Sequence, residues 1–157
     1  MDECTFCPIA AGEMDTDLVA LRTARVFVIP ALRQHPTNHG HALVLPVTHI
    51  RNLADASPSV RDEIFAIAAQ LTSAMPSLYG AEGSIVFQNN TAPDDALFHL
   101  HVHIVPRFSD DDFVMTRAAV AEVPRSERLQ QAALIRQALN GPYHLHDFPS
   151  TICGEPD

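Results

Sequence analysis

The sequence is short of positive charge: Lys+Arg total 10 against 19 Asp+Glu in 157 residues, a formal net charge of −9. So acidic a surface repels a phosphate backbone at long range, which argues against a nucleic acid polymer as partner and leaves a small anion held by local donors. Long apolar runs are missing as well. None approaches the ~20 residues that a membrane-spanning helix needs, so no membrane partner is expected. Cysteine is scarce: three residues, two of them near the start, are too few and too odd in number for a disulfide scaffold. The opening Met1-Asp2-Glu3-Cys4 has neither the basic end nor the apolar stretch of a secretory signal, and the chain reads as cytoplasmic. Internal repeats and low-complexity segments are lacking too. With 46% hydrophobic and 18% charged residues, a chain of this length builds one cored domain. That domain is predicted to span residues 1–140, with residues 141–157 as a tail that reads as an arm, a lid or a disordered segment.

What the sequence has in excess is proline, twelve residues, and histidine, nine. The prolines imply short elements with defined turns. Leu18–Leu21 and Arg25–Ile29 read as short strands around Thr23-Ala24, residues 30–40 as a loop, and His41–Leu45 as a third strand closed by Pro46. Ser57-Pro58 announces a helix, with Val60, Ile64, Ile67, Ala68 and Leu71 on its buried face and an end before Pro76. Ser84–Phe87 is the fourth strand, residues 89–95 a loop, and Phe98–Val105 the fifth strand, halted at Pro106. A last helix is predicted from Ser126 to about Leu139, with Leu129, Ala132, Ala133 and Arg136 on one face and Asn140-Gly141-Pro142 as its stop. The fold class is therefore α+β, a mainly antiparallel five-stranded sheet with a central helix and a C-terminal helix.

The histidines are not scattered. In Phe98-His99-Leu100-His101-Val102-His103-Ile104-Val105 they alternate strictly with apolar residues. A strand sends alternate side chains to opposite faces, so Leu100, Val102 and Ile104 enter a core while His99, His101 and His103 share the other face. A lone histidine there is most simply a satisfied core residue; three in alternation bind a metal, hold an anion, or supply a nucleophile with oriented neighbours. Cys4-x-x-Cys7 is a second cluster, two soft ligands on a tight turn that suits tetrahedral zinc. The rival readings are a redox pair, whose usual βαβ context is absent, and two free thiols at a loose terminus.

These motifs together resemble the histidine triad (HIT) family of nucleotide hydrolases and transferases. The likeness runs from Cys4 to about Arg107 through Cys4-Thr5-Phe6-Cys7-Pro8-Ile9, Gly40-His41-Ala42-Leu43-Val44-Leu45-Pro46 with His49, Gln88-Asn89, and His99 to Arg107. The resemblance implies that His101 attacks the α-phosphorus of a nucleotide ester, anhydride or phosphoramidate, giving a nucleotidyl-histidine that water hydrolyses. Neutral imidazole is a competent nucleophile, provided that its other nitrogen donates to a backbone carbonyl. His103 would donate to a phosphoryl oxygen, and Gln88 and Asn89 would lie by the scissile phosphate. His41 would help to position the triad, or is simply a satisfied histidine at a strand start. The resemblance further implies a structural zinc on Cys4, Cys7, His49 and His99, a small nucleotide as substrate, and a homodimer.

The sequence departs from the family pattern at three places. An acidic or amide residue that binds the ribose hydroxyls is expected where counting back from Gly40 gives Arg33, whose guanidinium is donor-only; either it pairs with an additional phosphate, or the loop is rearranged and Arg33 points away. Asp94-Asp95-Ala96-Leu97 replaces a Gly-Gln-Ser/Thr-Val stretch, which sets Asp95 beside the phosphate region. Val47 replaces a basic residue before His49. The alternatives to a covalent histidine mechanism are a metal-dependent hydrolase with all three triad histidines as ligands, and a nucleotide-binding interaction module with weak or no turnover. Cys153, His144 and His146 match no motif and read as surface residues.

Overall fold

A computed structural model of the chain describes residues 4–90, 97–115 and 119–140. Its elements are α1 (Phe6–Ala11), β1 (Leu21–Arg22), β2 (Val26–Pro30), β3 (Arg33–Gln34), β4 (Ala42–Pro46), α2 (Pro58–Tyr79), β5 (Gly83–Phe87), β6 (Val102–Arg107), β7 (Ala121–Glu122) and α3 (Arg125–Leu139). Five strands form one antiparallel sheet in the order β1-β2-β4-β6-β5, while β3 and β7 pair as a separate ribbon. Among the described residues no helix is long and apolar enough to cross a membrane.

β2 and β4 are buried at every position because both faces of the sheet are covered. On one face Val26, Val28, Val44 and Ile104 meet Ile64, Leu71 and Met75 of α2 and Ile135 of α3. On the other, Phe27, Ile29, Leu43 and Leu45 meet Phe6 and Ile9 of the short α1. The period-2 alternation of strand side chains thus feeds two separate apolar clusters.

Several element bounds differ from the sequence reading. Residues 16–18 form a 3₁₀ turn that buries Leu18, so β1 begins only at Leu21. The Thr23 turn holds as expected, its hydroxyl oxygen accepting from the amides of Arg25 and Val26 at 3.1 and 2.9 Å. Ser57 caps α2 by accepting from the Val60 amide, and Pro58 fills the first turn. The helix then continues through Pro76 to Tyr79 and stops at Gly80, whose φ of 67° is left-handed and whose amide bonds the Pro76 carbonyl at 2.9 Å. Pro76 is exposed and forfeits one ladder bond, while Tyr79 in the same last turn packs on the core and offsets that loss.

The predicted loop at 30–40 contains β3. There Gln34, 1% exposed, donates to the Ala31 carbonyl and to Gln131 of α3, and accepts from the Gly40 amide. The buried face of α3 is accordingly Gln131, Ala132 and Ile135, whereas Ala133 and Arg136 are exposed. β6 begins later than expected, at Val102, and carries Pro106 inside it. β4 pairs with β6 only as far as Ile104, so at Pro106 β5 is the one strand neighbour in the ladder and no second amide partner is needed. The Pro106 carbonyl instead accepts from buried Asn38 at 2.7 Å. Asn38 also bonds Asp111, which receives Arg107 through two bonds of 2.6 and 3.0 Å. The Arg107 guanidinium beside it holds the Asp111 carboxyl well below the usual carboxylate range. Residues 141–157, including Cys153, His144 and His146, lie outside the described residues.

Gly40, directly before His41, has a φ of 98°, and a Cβ on it would stand 2.5 Å from the Tyr79 ring. Gly40→Ala should therefore lower the unfolding free energy by about 2–4 kcal/mol, from left-handed backbone strain and overpacking together. Urea melts of the two proteins measure the difference; an unchanged midpoint would show that the loop does not depend on this contact.

Candidate active site and metal centre

The histidine segment alternates as its sequence requires, although only part of it is ladder-paired. Leu100, Val102 and Ile104, at 1%, 0% and 0% exposure, lie in the helix-covered core. His99 and His101 touch Phe6 on the opposite face. Residues 98–101 precede β6 because β4 pairs no further than Val44 with Val102; beyond that, the Leu100 amide donates to the Ile50 carbonyl at 2.6 Å. The expected strand from Phe98 is thus an extended lead-in followed by a strand, and the three imidazoles still share a face.

His101 is buried, and its Nδ1–H donates to the His99 carbonyl at 2.7 Å. A carbonyl only accepts, so the proton is on Nδ1 and the Nε2 lone pair is free. His103 faces Leu43 of β4 and Phe87 of β5. Its ring lies parallel to the Phe87 ring at 4.3 Å and edge-on to the His101 ring at 4.7 Å. His103 Nδ1 and His41 Nε2 are 2.9 Å apart, while His103 Nε2 is buried with no hydrogen-bond partner among the described residues. Burial, with the His101 ring as a lesser cause, pushes the His41 pKa down to about 3. Burial followed by His41 and His101 pushes that of His103 down to about 2. Both are neutral at physiological pH, so one N–H is shared between them.

His99 faces another way. Its Nε2–H donates to the Pro46 carbonyl at 2.9 Å, which turns Nδ1 toward Cys4 Sγ at 3.3 Å and Cys7 Sγ at 3.8 Å. Cys7 Sγ is 3.3 Å from His49 Nδ1, and the four ligand atoms all lie within 4.8 Å of one another. Tetrahedral zinc with Zn–S of about 2.3 Å and Zn–N of about 2.05 Å implies ligand–ligand edges of roughly 3.3–3.8 Å. The donor set therefore fits zinc, and the backbone bond to His99 is the kind of outer support that orients such a ligand. Burial pushes the Cys7 thiol up to about 11, with Cys4 adding to the rise, so a metal would have to displace a held proton. His101 and His103 are engaged through their own Nδ1 atoms with the His99 carbonyl and with His41. Among the described residues the metal-type cluster contains His99 alone of the triad, which does not fit a metal held by all three histidines.

The remaining predicted residues are less concentrated. Gln88 directly follows Phe87, but its amide nitrogen donates to the Asn89 carbonyl, leaving the buried acceptor Oε1 without a partner. Half-buried Asn89 sits beside it, and Asn90, which the sequence did not single out, accepts from the Leu53 amide at 2.9 Å. Arg33 is exposed and pairs with Glu122 at 3.3 Å, so the guanidinium expected at a substrate phosphate is held by the β3–β7 ribbon. Val47 packs on the apolar cluster under α1. Asp94 and Asp95 lie outside the described residues. Phe6 and Phe87 were missed, though their signals were at hand, one inside the Cys-x-x-Cys turn and the other one residue before Gln88.

The HIT domain family model matches residues 15–110 of this chain. The chain is similar to an adenylylsulfatase of Arabidopsis thaliana, 29% identical over 111 residues that cover 70% of this chain and 55% of that protein. It is also similar to an adenosine 5′-monophosphoramidase of Schizosaccharomyces pombe, 30% identical over 110 residues, 69% of this chain and 77% of the other. Its fold matches a zinc-bound histidine triad family protein of Mycobacterium smegmatis with a TM-score of 0.71 and 28% identity, covering 87% of this chain and 93% of that one.

Two outcomes follow from this geometry. Cys4→Ser and His49→Ala should each reduce zinc per chain, measured by elemental analysis, and lower the melting temperature; a zinc-free native protein would exclude the metal centre. Because His41 and His103 stay neutral when folded, the unfolded chain binds protons that the native chain refuses once pH drops below about 6.5. Stability is then complete above that pH and falls on acidification, by up to about 2 kcal/mol for each histidine at pH 5. Urea melts at pH 7.5 and 5 should show the decline, and His41→Asn should flatten it.

Proposed function

The chain belongs to the HIT domain family, and from that premise we propose a nucleotide hydrolase or nucleotidyl transferase that works through a nucleotidyl-His101 intermediate. The observation that carries this reading is the His101 tautomer: Nδ1–H is tied to the His99 carbonyl, and Nε2 keeps its lone pair. In the reaction, His101 Nε2 bonds the α-phosphorus as the bond from phosphorus to the leaving group breaks. Nδ1 keeps its proton, and the His99 carbonyl stabilises the positive charge that develops on the ring. Water then attacks phosphorus, the P–N bond breaks, and nucleoside monophosphate leaves with the imidazole restored.

His103 Nε2 supports the same reading. When His41 Nε2–H donates to His103 Nδ1, Nε2 of His103 carries a proton with no protein partner, a buried donor suited to a phosphoryl oxygen. Gln88 and Asn89 flank this end of β5, and while one Gln88 N–H holds the Asn89 carbonyl, its second N–H and its Oε1 would serve the substrate. The two relatives supply the leaving-group classes, sulfate on an adenylyl group or the amine of an adenosine phosphoramidate. Zinc on Cys4, Cys7, His49 and His99 would be structural, fastening α1 to the triad segment. Reduced thiol ligands suit the cytoplasm. A homodimer would cover the open edge of β5 and the exposed Val86 and Phe65.

The test is incubation with adenylyl sulfate and with adenosine 5′-phosphoramidate, followed by intact mass and product assay. Wild type should show a nucleotidyl adduct on His101 and release AMP, whereas His101→Ala should lose adduct and slow turnover by about 10³-fold or more. Binding without adduct or turnover in wild type would identify a nucleotide-binding module, and full activity in His101→Ala would end the nucleophile assignment.

A further inference from the structure

The six-residue helix α1 is too short to be stable by itself, and its N-cap Thr5 makes no side-chain capping bond. What fixes it is its apolar face and the two cysteines at its start. Phe6 stands between those cysteines, 5% exposed, with its ring 5.8 Å from the His99 ring at 77° and 5.6 Å from the His101 ring at 46°. One aromatic side chain thus touches a ligand of the metal-type cluster and the proposed nucleophile together. The His101 ring also meets the His99 carbonyl and the edge of His103.

We propose that Phe6 is a positioning residue that couples metal occupancy to the orientation of the His101 ring. The inference rests on the assignment of His101 as nucleophile. Drawing Cys4 and Cys7 onto a common ion with His49 and His99 clamps the turn that carries Phe6 against the triad face. The Phe6 ring then restricts rotation of His101 about its side-chain bonds, so that Nε2 stays aimed while Nδ1–H holds the His99 carbonyl. Without the ion, α1 is retained by apolar contact and by the weaker thiol–imidazole contacts of Cys4 and Cys7, and the wall behind His101 loosens. A shorter route also exists, since His99 is both a ligand and the acceptor for His101, and the test separates the two.

Wild type, Phe6→Ala and Phe6→Leu are prepared zinc-loaded and chelated, each with its zinc content measured. The first readout is the NMR position and width of the His101 ring Cε1–H signal, assigned with His101→Ala. Chelation should shift and broaden that signal in wild type, and should change it little in Phe6→Ala, where the ring that reports the ion is gone. The second readout is single-turnover adduct formation with adenosine 5′-phosphoramidate. Phe6→Ala should slow it roughly tenfold or more with KM unchanged, and Phe6→Leu should recover part of the rate by restoring volume. If Phe6→Ala loses its zinc, Phe6→Leu carries the NMR comparison.

An equal chelation shift in wild type and in the zinc-loaded Phe6 variant would overturn the proposal and assign the coupling to the His99 backbone. A raised KM with kcat unchanged would also overturn it, making Phe6 a substrate contact. Adduct formation surviving in His101→Ala would instead sink the nucleophile assignment, while the NMR comparison would still report whether Phe6 links ion and ring.

Discussion

The organisation of this protein depends on one extended segment, His99 to Ile104, being made to serve two faces. Its apolar side chains must be buried between sheet and α2 for the domain to have a core, and that burial fixes the segment's rotation. Once the rotation is fixed, the imidazoles have no choice of side. A slip of one residue would drive three polar rings into the apolar core under α2 and set three aliphatic side chains where the imidazoles now meet Phe6, the Pro46 carbonyl and His41. The energy that packs the core is therefore also what orders the site.

Burial of His41 and His103 settles their protonation as well as their place. The chain carries a net charge of −9 and the proposed substrate class is anionic, so long-range attraction cannot bring the two together. Neutral rings are one solution. They present N–H donors and a lone pair without the desolvation cost that buried cations would carry, and without a field that competing anions would share. Several arginines are engaged elsewhere, Arg107 with Asp111, Arg125 with Asp15 and Asp17, and Arg33 with Glu122.

The parts of the fold that were legible in the sequence are those governed by local periodicity. The triad alternation, the Ser57-Pro58 start of α2 and the Cys-x-x-Cys turn were all read from neighbours along the chain. Pairings set by distant contacts were not legible. β3 is two residues long and exists because β7, nearly ninety positions away, lies beside it and Gln34 meets Gln131. Counting residues sets Arg33 near the site, and counting cannot detect its exposed pairing with Glu122 of the β3–β7 ribbon. Pro76 was read as a stop because proline lacks a donor, but Tyr79 beyond it had packing to gain. Likewise, Phe98 begins the alternating pattern, whereas the ladder waits for a neighbour until Val102.

The contact between Cys4 and His99 joins positions 95 residues apart. A link across that span closes most of the domain into a ring, and a covalent closure of such size removes about 4.7 kcal/mol of chain entropy from the unfolded state. An ion held there acts as a detachable cross-bridge. With the proposed ion in place, the Cys4–Cys7 turn would serve as a clasp, and metal supply would become a determinant of how long a molecule survives between spontaneous openings.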